Sequence, residues 1–148
     1  MQLLEDNDFR QTIAKCVDGD SLSNAFVCAG YRNHHDILKA FLDQGMNIDI
    51  KDHYGSTALI EASIYRHEIL VRMFLEKNAN IDFQNKYGNT ALIIASRDGF
   101  KEIVRLLLDY NADVNLINNK GKTAHDLAWD EEIKQMIQNH VNTSYVLK

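Results

Sequence analysis

Proline is absent from this chain of 148 residues, tryptophan occurs once and cysteine twice. Without proline, the starts of helices must be set by other residues. Cys16 and Cys28 cannot form a disulfide framework for a chain this long. Free cysteine is among the most buried residue types, so both are expected in the core. No apolar run approaches the length that crosses a bilayer, so no membrane span is expected. The first twenty residues carry Glu5, Asp6, Asp8, Asp18 and Asp20 and no apolar stretch, so no secretory signal is read there. The expected location is cytoplasmic, with export by a signal outside this sequence as the alternative. A basic stripe is missing too. The net charge is −5, and the whole deficit falls in residues 1–84. Tight nucleic-acid binding needs clustered Lys and Arg, so the expected partner is another protein.

Catalytic signatures are equally scarce. Of the six histidines, His34 and His35 are adjacent and point about 100° apart on a helix. His53, His67, His125 and His140 are scattered, no His-Glu-x-x-His occurs, and no metal or cofactor is expected. His67 reads as structural. There is no Gly-x-Ser-x-Gly elbow, phosphate loop or dinucleotide fingerprint. The acidic run Asp130-Glu131-Glu132 reads as a solvated helix start. The chain is not expected to be an enzyme.

What is present is a repeat. Gly55, Gly88 and Gly121 stand 33 residues apart. Around them the text recurs as Asp52-His53-Tyr54-Gly55-Ser56-Thr57-Ala58-Leu59, Asn85-Lys86-Tyr87-Gly88-Asn89-Thr90-Ala91-Leu92 and Asn118-Asn119-Lys120-Gly121-Lys122-Thr123-Ala124-His125. A fixed period of this length means stacked supersecondary units. Each glycine allows the positive φ of a tight turn. Thr57, Thr90 and Thr123 follow where a hydroxyl can cap a helix. A short apolar run comes next, with alanine at its fifth position (Ala62, Ala95, Ala128), small enough for close helix approach. Ser63 and Ser96, one period apart, read as small packing residues. A second helix follows a break. It is carried by Ile69, Leu70, Val71, Met73, Phe74 and Leu75 in one unit, and by Ile103, Val104, Leu106, Leu107 and Leu108 in the next. Polar exits close these helices at Asn78-Ala79-Asn80-Ile81-Asp82 and Asn111-Ala112-Asp113-Val114-Asn115.

This pattern resembles the ankyrin repeat, which is two antiparallel helices and a β-turn in 33 residues. The resemblance implies an all-α solenoid of helix-turn-helix units with short β-turn or hairpin tips. Residues 52–84 and 85–117 are full units. Residues 19–51 form a degenerate one, with Leu22 where the glycine should stand, and 118–140 a shortened C-terminal cap. Residues 1–18 read as an N-terminal capping helix and 141–148 as a frayed tail. The family usually writes Thr-Pro-Leu-His at the start of the first helix. Here alanine replaces the proline, and Ile60, Ile93 and Asp126 replace the histidine. The histidine ladder is therefore expected to be missing, leaving stability to apolar stacking. The proline-free style resembles bacterial ankyrin-repeat proteins more than animal ones.

The resemblance also implies where a partner docks. In such stacks the turn tips and first helices line a concave face. By position, that face carries His53, Tyr54, Ser56, Lys86, Tyr87 and Lys120 from the tips. The first helices add Cys28, Tyr31, Arg32, Glu61, Tyr65, Ile94, Arg97 and Asp98, with Asp130 beyond them. Tyr and Arg often anchor interfaces, so Tyr31, Arg32, Tyr65 and Arg97 are the leading candidates, Tyr65 and Arg97 being expected as neighbours. The expected function is a monomeric protein-interaction module, acting as an inhibitor or immunity-type protein of an enzyme, or alternatively as an effector or adaptor. In a different class, the stretch from Leu107 to Asn115 resembles asparagine-hydroxylation sites of animal ankyrin repeats, which marks Asn115 as a candidate modification site.

Overall fold

The computed structural model describes residues 22–146. The expected helix over 1–18, Cys16 and the opening of the first repeat lie outside these residues. Among the described residues the fold is all-helical. The elements are α1 (Leu22–Tyr31), α2 (His35–Asp43), α3 (Ala58–Ile64), α4 (Glu68–Glu76), α5 (Ala91–Asp98), α6 (Lys101–Asp109), α7 (Ala124–Leu127) and α8 (Glu131–Val146). They pair as α1/α2, α3/α4, α5/α6 and α7/α8, and neighbouring pairs stack. First helices pack in the order α1–α3–α5–α7, and second helices in the order α4–α6–α8.

The turns show how the sequence builds without proline. Asp52 Oδ1 accepts from the N–H groups of Tyr54 (2.8 Å) and Ser56 (2.9 Å). Asn85 does the same for Tyr87 and Asn89, and Asn118 for Lys120 and Lys122. Each side chain thus holds the loop that its glycine turns, with φ of +70° at Gly55 and +75° at Gly88. The threonine two residues on then caps the helix. Thr57 Oγ1 accepts from Ile60 N–H, Thr90 from Ile93 and Thr123 from Asp126. In the last repeat Asp126 reaches back to Thr123 N–H at 2.9 Å and completes a capping box. That bond holds the Asp126 carboxyl below its ordinary pKa.

The core runs unbroken through the stack. Phe26 meets Phe41 and Phe74 edge-on at 5.9 and 6.4 Å. Leu38, Leu70, Ile103, Leu107 and Ile133 are fully buried. Burying each such side chain stabilises the fold by about 1.5–3 kcal/mol. Ser63 and Ser96 are also fully buried, in keeping with packing roles.

Polar ladders supplement the apolar stacking, which the absence of the histidine ladder had left as the expected source of stability. Lys86 N–H donates to Tyr54 O (3.1 Å) and Asn119 N–H to Tyr87 O (3.0 Å), tying turn to turn. Asp49 Oδ1 accepts Asn80 N–H and Asp82 Oδ1 accepts Asp113 N–H, both at 2.8 Å, tying exit to exit. His67 Nε2 lies 2.8 Å from Tyr31 O, which gives this histidine its structural role.

Leu22, where the turn glycine should stand, is helical, and in the repeat frame α1 covers three positions that precede the start of α3. Two expectations are corrected. The segment read as a tail continues α8 to Val146, with Thr143 and Ser144 hydroxyls donating to the carbonyls of Asn139 and His140. The acidic run is not simply solvated. Lys101 reaches Asp130 at 3.1 Å and Glu132 at 2.6 Å, clamping the start of α8 to α6. The same contact lowers the Asp130 pKa and raises that of Lys101.

Candidate functional site

The face made by the turns and first helices holds a cleft of about 310 Å³ between the first two described repeats. α1 supplies Tyr31 from its last turn, with Asn24, Val27 and Cys28 beneath it. α3 supplies Glu61, and its C-cap supplies Tyr65. The turn before α3 adds Asp52, His53 and Tyr54. One geometric fact brings these together. α1 and α3 lie close enough that a Cβ at Gly30 would stand 3.1 Å from Ala58 O and 3.2 Å from Ala58 Cβ. Small residues at the contact let these two first helices stack closely.

Tyr31 and Tyr65 touch edge-to-face, with ring centroids 4.3 Å apart. Both are exposed, at 39% and 48%. His53 lies over Tyr54 at 3.8 Å. Glu61 is half-buried between them. Burial raises its pKa, a hydrogen bond with Ser56 opposes the rise, and the nearby Asp52 charge adds to it. The Tyr65 hydroxyl is pushed up as well, by burial first and then by Glu61 and Tyr31.

Six of the sequence-derived face residues therefore gather here: Cys28, Tyr31, His53, Tyr54, Glu61 and Tyr65. Arg32 stands on the rim, its guanidinium 5.8 Å from the Tyr31 ring centroid. Lys86 bridges two tips, its ammonium 4.2 Å from the Tyr54 centroid and 5.3 Å from that of Tyr87. Lys120 is exposed on the last turn. Arg97 does not line the cleft beside Tyr65. It forms a two-pronged pair with Asp98, at 2.7 and 2.9 Å, and this pair raises its pKa. Two face residues fail on burial, since Ser56 and Ile94 are buried and present no surface. Cys28 is half-buried and lines the cleft, which agrees with its place on the face and corrects the expectation that it lies in the core.

Asn24, Val27 and Asp52 line the cleft without having been singled out. Asn24 and Val27 lie one period before Thr57 and Ile60, a buried cap and a core residue, so the 33-residue frame did not mark them as face positions. The exposed Trp129 was also passed over. Its indole lies against Gly99, where a Cβ would stand 2.9 Å from Cζ2. Asn115 is exposed, donates its backbone N–H to Asp113, and faces His140, Ser144 and Tyr145 of α8 across a shallow cleft. It sits one period after Asp82, at the end of the exit ladder.

Among the described residues, no group of three or more His, Cys, Asp or Glu is placed to hold a metal ion. None of their helices is long and apolar enough to cross a membrane. A family model described as ankyrin repeats (3 copies) matches residues 2–85 and again residues 70–142. No curated protein matches the chain significantly. Ankyrin repeats are general protein–protein interaction modules and typically non-catalytic scaffolds. The chain belongs to the ankyrin-repeat family.

Proposed function

We propose that this protein is a monomeric module that binds a partner protein through the face built by its turns and first helices, centred on the Tyr31–Tyr65 cleft. The carrying observation is that exposed pair of rings in contact at 4.3 Å. Exposed aromatic side chains fixed on helix ends form large contact area at low entropic cost, the chemistry of interface anchors. Lys86, Tyr87 and the Arg97–Asp98 pair extend the face toward the later repeats. A scaffold of this kind acts on its partner by covering or holding surface. We therefore extend the proposal to inhibition of a partner enzyme.

The test is capture of the partner from the native lysate by wild type and by the variant carrying Tyr31→Ala and Tyr65→Ala. The variant should melt within a few degrees of wild type, since exposed substitutions change stability little. Its affinity should fall at least about tenfold, equivalent to about 1.4 kcal/mol. Undiminished capture by a folded variant places the docking surface elsewhere. An enzyme partner that keeps full activity at saturation makes the module an adaptor instead of an inhibitor.

A further inference from the structure

The cleft is chemically one-sided. Its acidic lining residues are Asp52 and Glu61, and no lysine or arginine lines it. Among the described residues neither carboxylate is in an ion pair with Lys, Arg or His. The Tyr54 and Ser56 N–H groups compensate Asp52, whereas half-buried Glu61 has a hydrogen bond with Ser56 and no cation in an ion pair with it among the described residues, an arrangement that an arriving cation would stabilise. The walls are rings whose faces carry negative potential. The chain already uses these rings to hold cations, with Arg32 by Tyr31 and Lys86 by Tyr54. Both of those cations sit outside the cleft. An apolar occupant would desolvate Glu61 without compensation, and an acidic one would be repelled by both carboxylates.

We propose that the cleft receives a basic side chain, lysine or arginine, from the partner protein, with its cationic head beside Glu61 and against the Tyr31 and Tyr65 rings. The inference rests on the docking face proposed above and adds the chemistry of what enters it. The raised pKa of Glu61 agrees, because burial disfavours its charged form and the charge of an arriving cation would offset that penalty.

The experiment titrates N-acetyl-arginine amide and N-acetyl-lysine amide into the full chain, with N-acetyl-norleucine amide as the uncharged control. Tyrosine ring signals are followed by NMR. Signals of Tyr31, Tyr54 and Tyr65 should shift and saturate with a cationic probe. Those of Tyr110 and Tyr145, outside this cleft, should not move. Glu61→Gln keeps an acceptor for Ser56 and should weaken binding about tenfold, as loss of a charge-assisted hydrogen bond does. Tyr65→Leu should weaken it by about two- to fivefold through loss of the cation–ring contact. Unchanged ring signals of Tyr110 and Tyr145 in each variant show that it is folded. Norleucine amide binding as tightly as the cations, or Glu61→Gln binding like wild type, overturns the proposal. If no cationic probe binds while partner capture is lost in the double tyrosine variant, the docking face stands and this inference falls. If capture survives in that variant, the docking face itself falls.

Discussion

Gly88 and Gly121 occupy equivalent turns with nearly equal φ, +75° and +70°, yet alanine should affect them very differently. At both positions an L side chain in the left-handed region costs about 1–2 kcal/mol. At Gly121 a Cβ meets nothing within 4 Å, so that strain is the whole effect. At Gly88 the Cβ would lie 2.6 Å from Asn119 Oδ1, 2.7 Å from Asn119 N and 2.9 Å from Asn118 Cα. Two of these belong to the backbone of the next turn, so that turn must retreat. Retreat stretches two bonds that join the turns, Asn119 N–H to Tyr87 O at 3.0 Å and Asn119 Nδ2 to Lys86 O at 2.8 Å. Each contributes a net of about 0.5–1.5 kcal/mol. Gly88→Ala should therefore cost about 2–5 kcal/mol and Gly121→Ala about 1–2 kcal/mol. Gly55→Ala should fall between them, because its nearest neighbour, Lys86 N, is 3.3 Å away. Urea unfolding followed by both circular dichroism and Trp129 fluorescence measures this, with coincident transitions checking two-state behaviour. Equal costs for Gly88→Ala and Gly121→Ala would refute the claim that the turns are pressed together at Gly88.

The turn chemistry was legible because it is local. A side chain such as Asn85 holds its own loop and Thr90 caps its own helix, so the 33-residue recurrence of both residue types in the sequence reports them. The apolar second helices were legible for the same reason, since period and burial coincide at Leu70, Ile103 and Leu107. What could not be read was how neighbouring repeats share side chains. The carboxylates of Asp49 and Asp82 look like ordinary polar exits until the next repeat's N–H is seen against them. Tyr65 and Arg97 are one residue apart in the repeat frame. Packing nevertheless turns Tyr65 back toward Tyr31 of the preceding repeat and leaves Arg97 on its neighbour Asp98. Position along the frame assigns a face, and partners across the repeat boundary decide which side chains on that face meet.

Leu107, fully buried on α6, should cost about 2–5 kcal/mol on truncation to alanine, and a cost below about 1 kcal/mol would mean that the second helices are loosely packed. Burial raises the Glu61 pKa, so folding is penalised where the group is ionised in both states and is unpenalised where it is protonated in both. Glu61→Gln should therefore raise the melting temperature at neutral pH, and the gain should shrink as pH falls through the raised folded pKa and vanish below the ordinary value of 4.5. A gain that grows in acid would mean that the carboxylate is stabilised by folding. The buried serines make the last contrast. Ser63 Oγ donates to Leu59 O at 2.8 Å, whereas the equivalent Ser96 Oγ is buried with no hydrogen-bond partner among the described residues. Ser63→Ala removes a made bond and should cost about 0.5–1.5 kcal/mol. Ser96→Ala removes a hydroxyl whose unpaired burial costs about 1–3 kcal/mol, and it introduces the best helix former, so it should stabilise the protein. Denaturant midpoints at constant m-value compare the two directly. Ser96→Ala proving as destabilising as Ser63→Ala would mean that the Ser96 hydroxyl rotates onto the carbonyl one turn back, so that the two repeats are equivalent at this position after all.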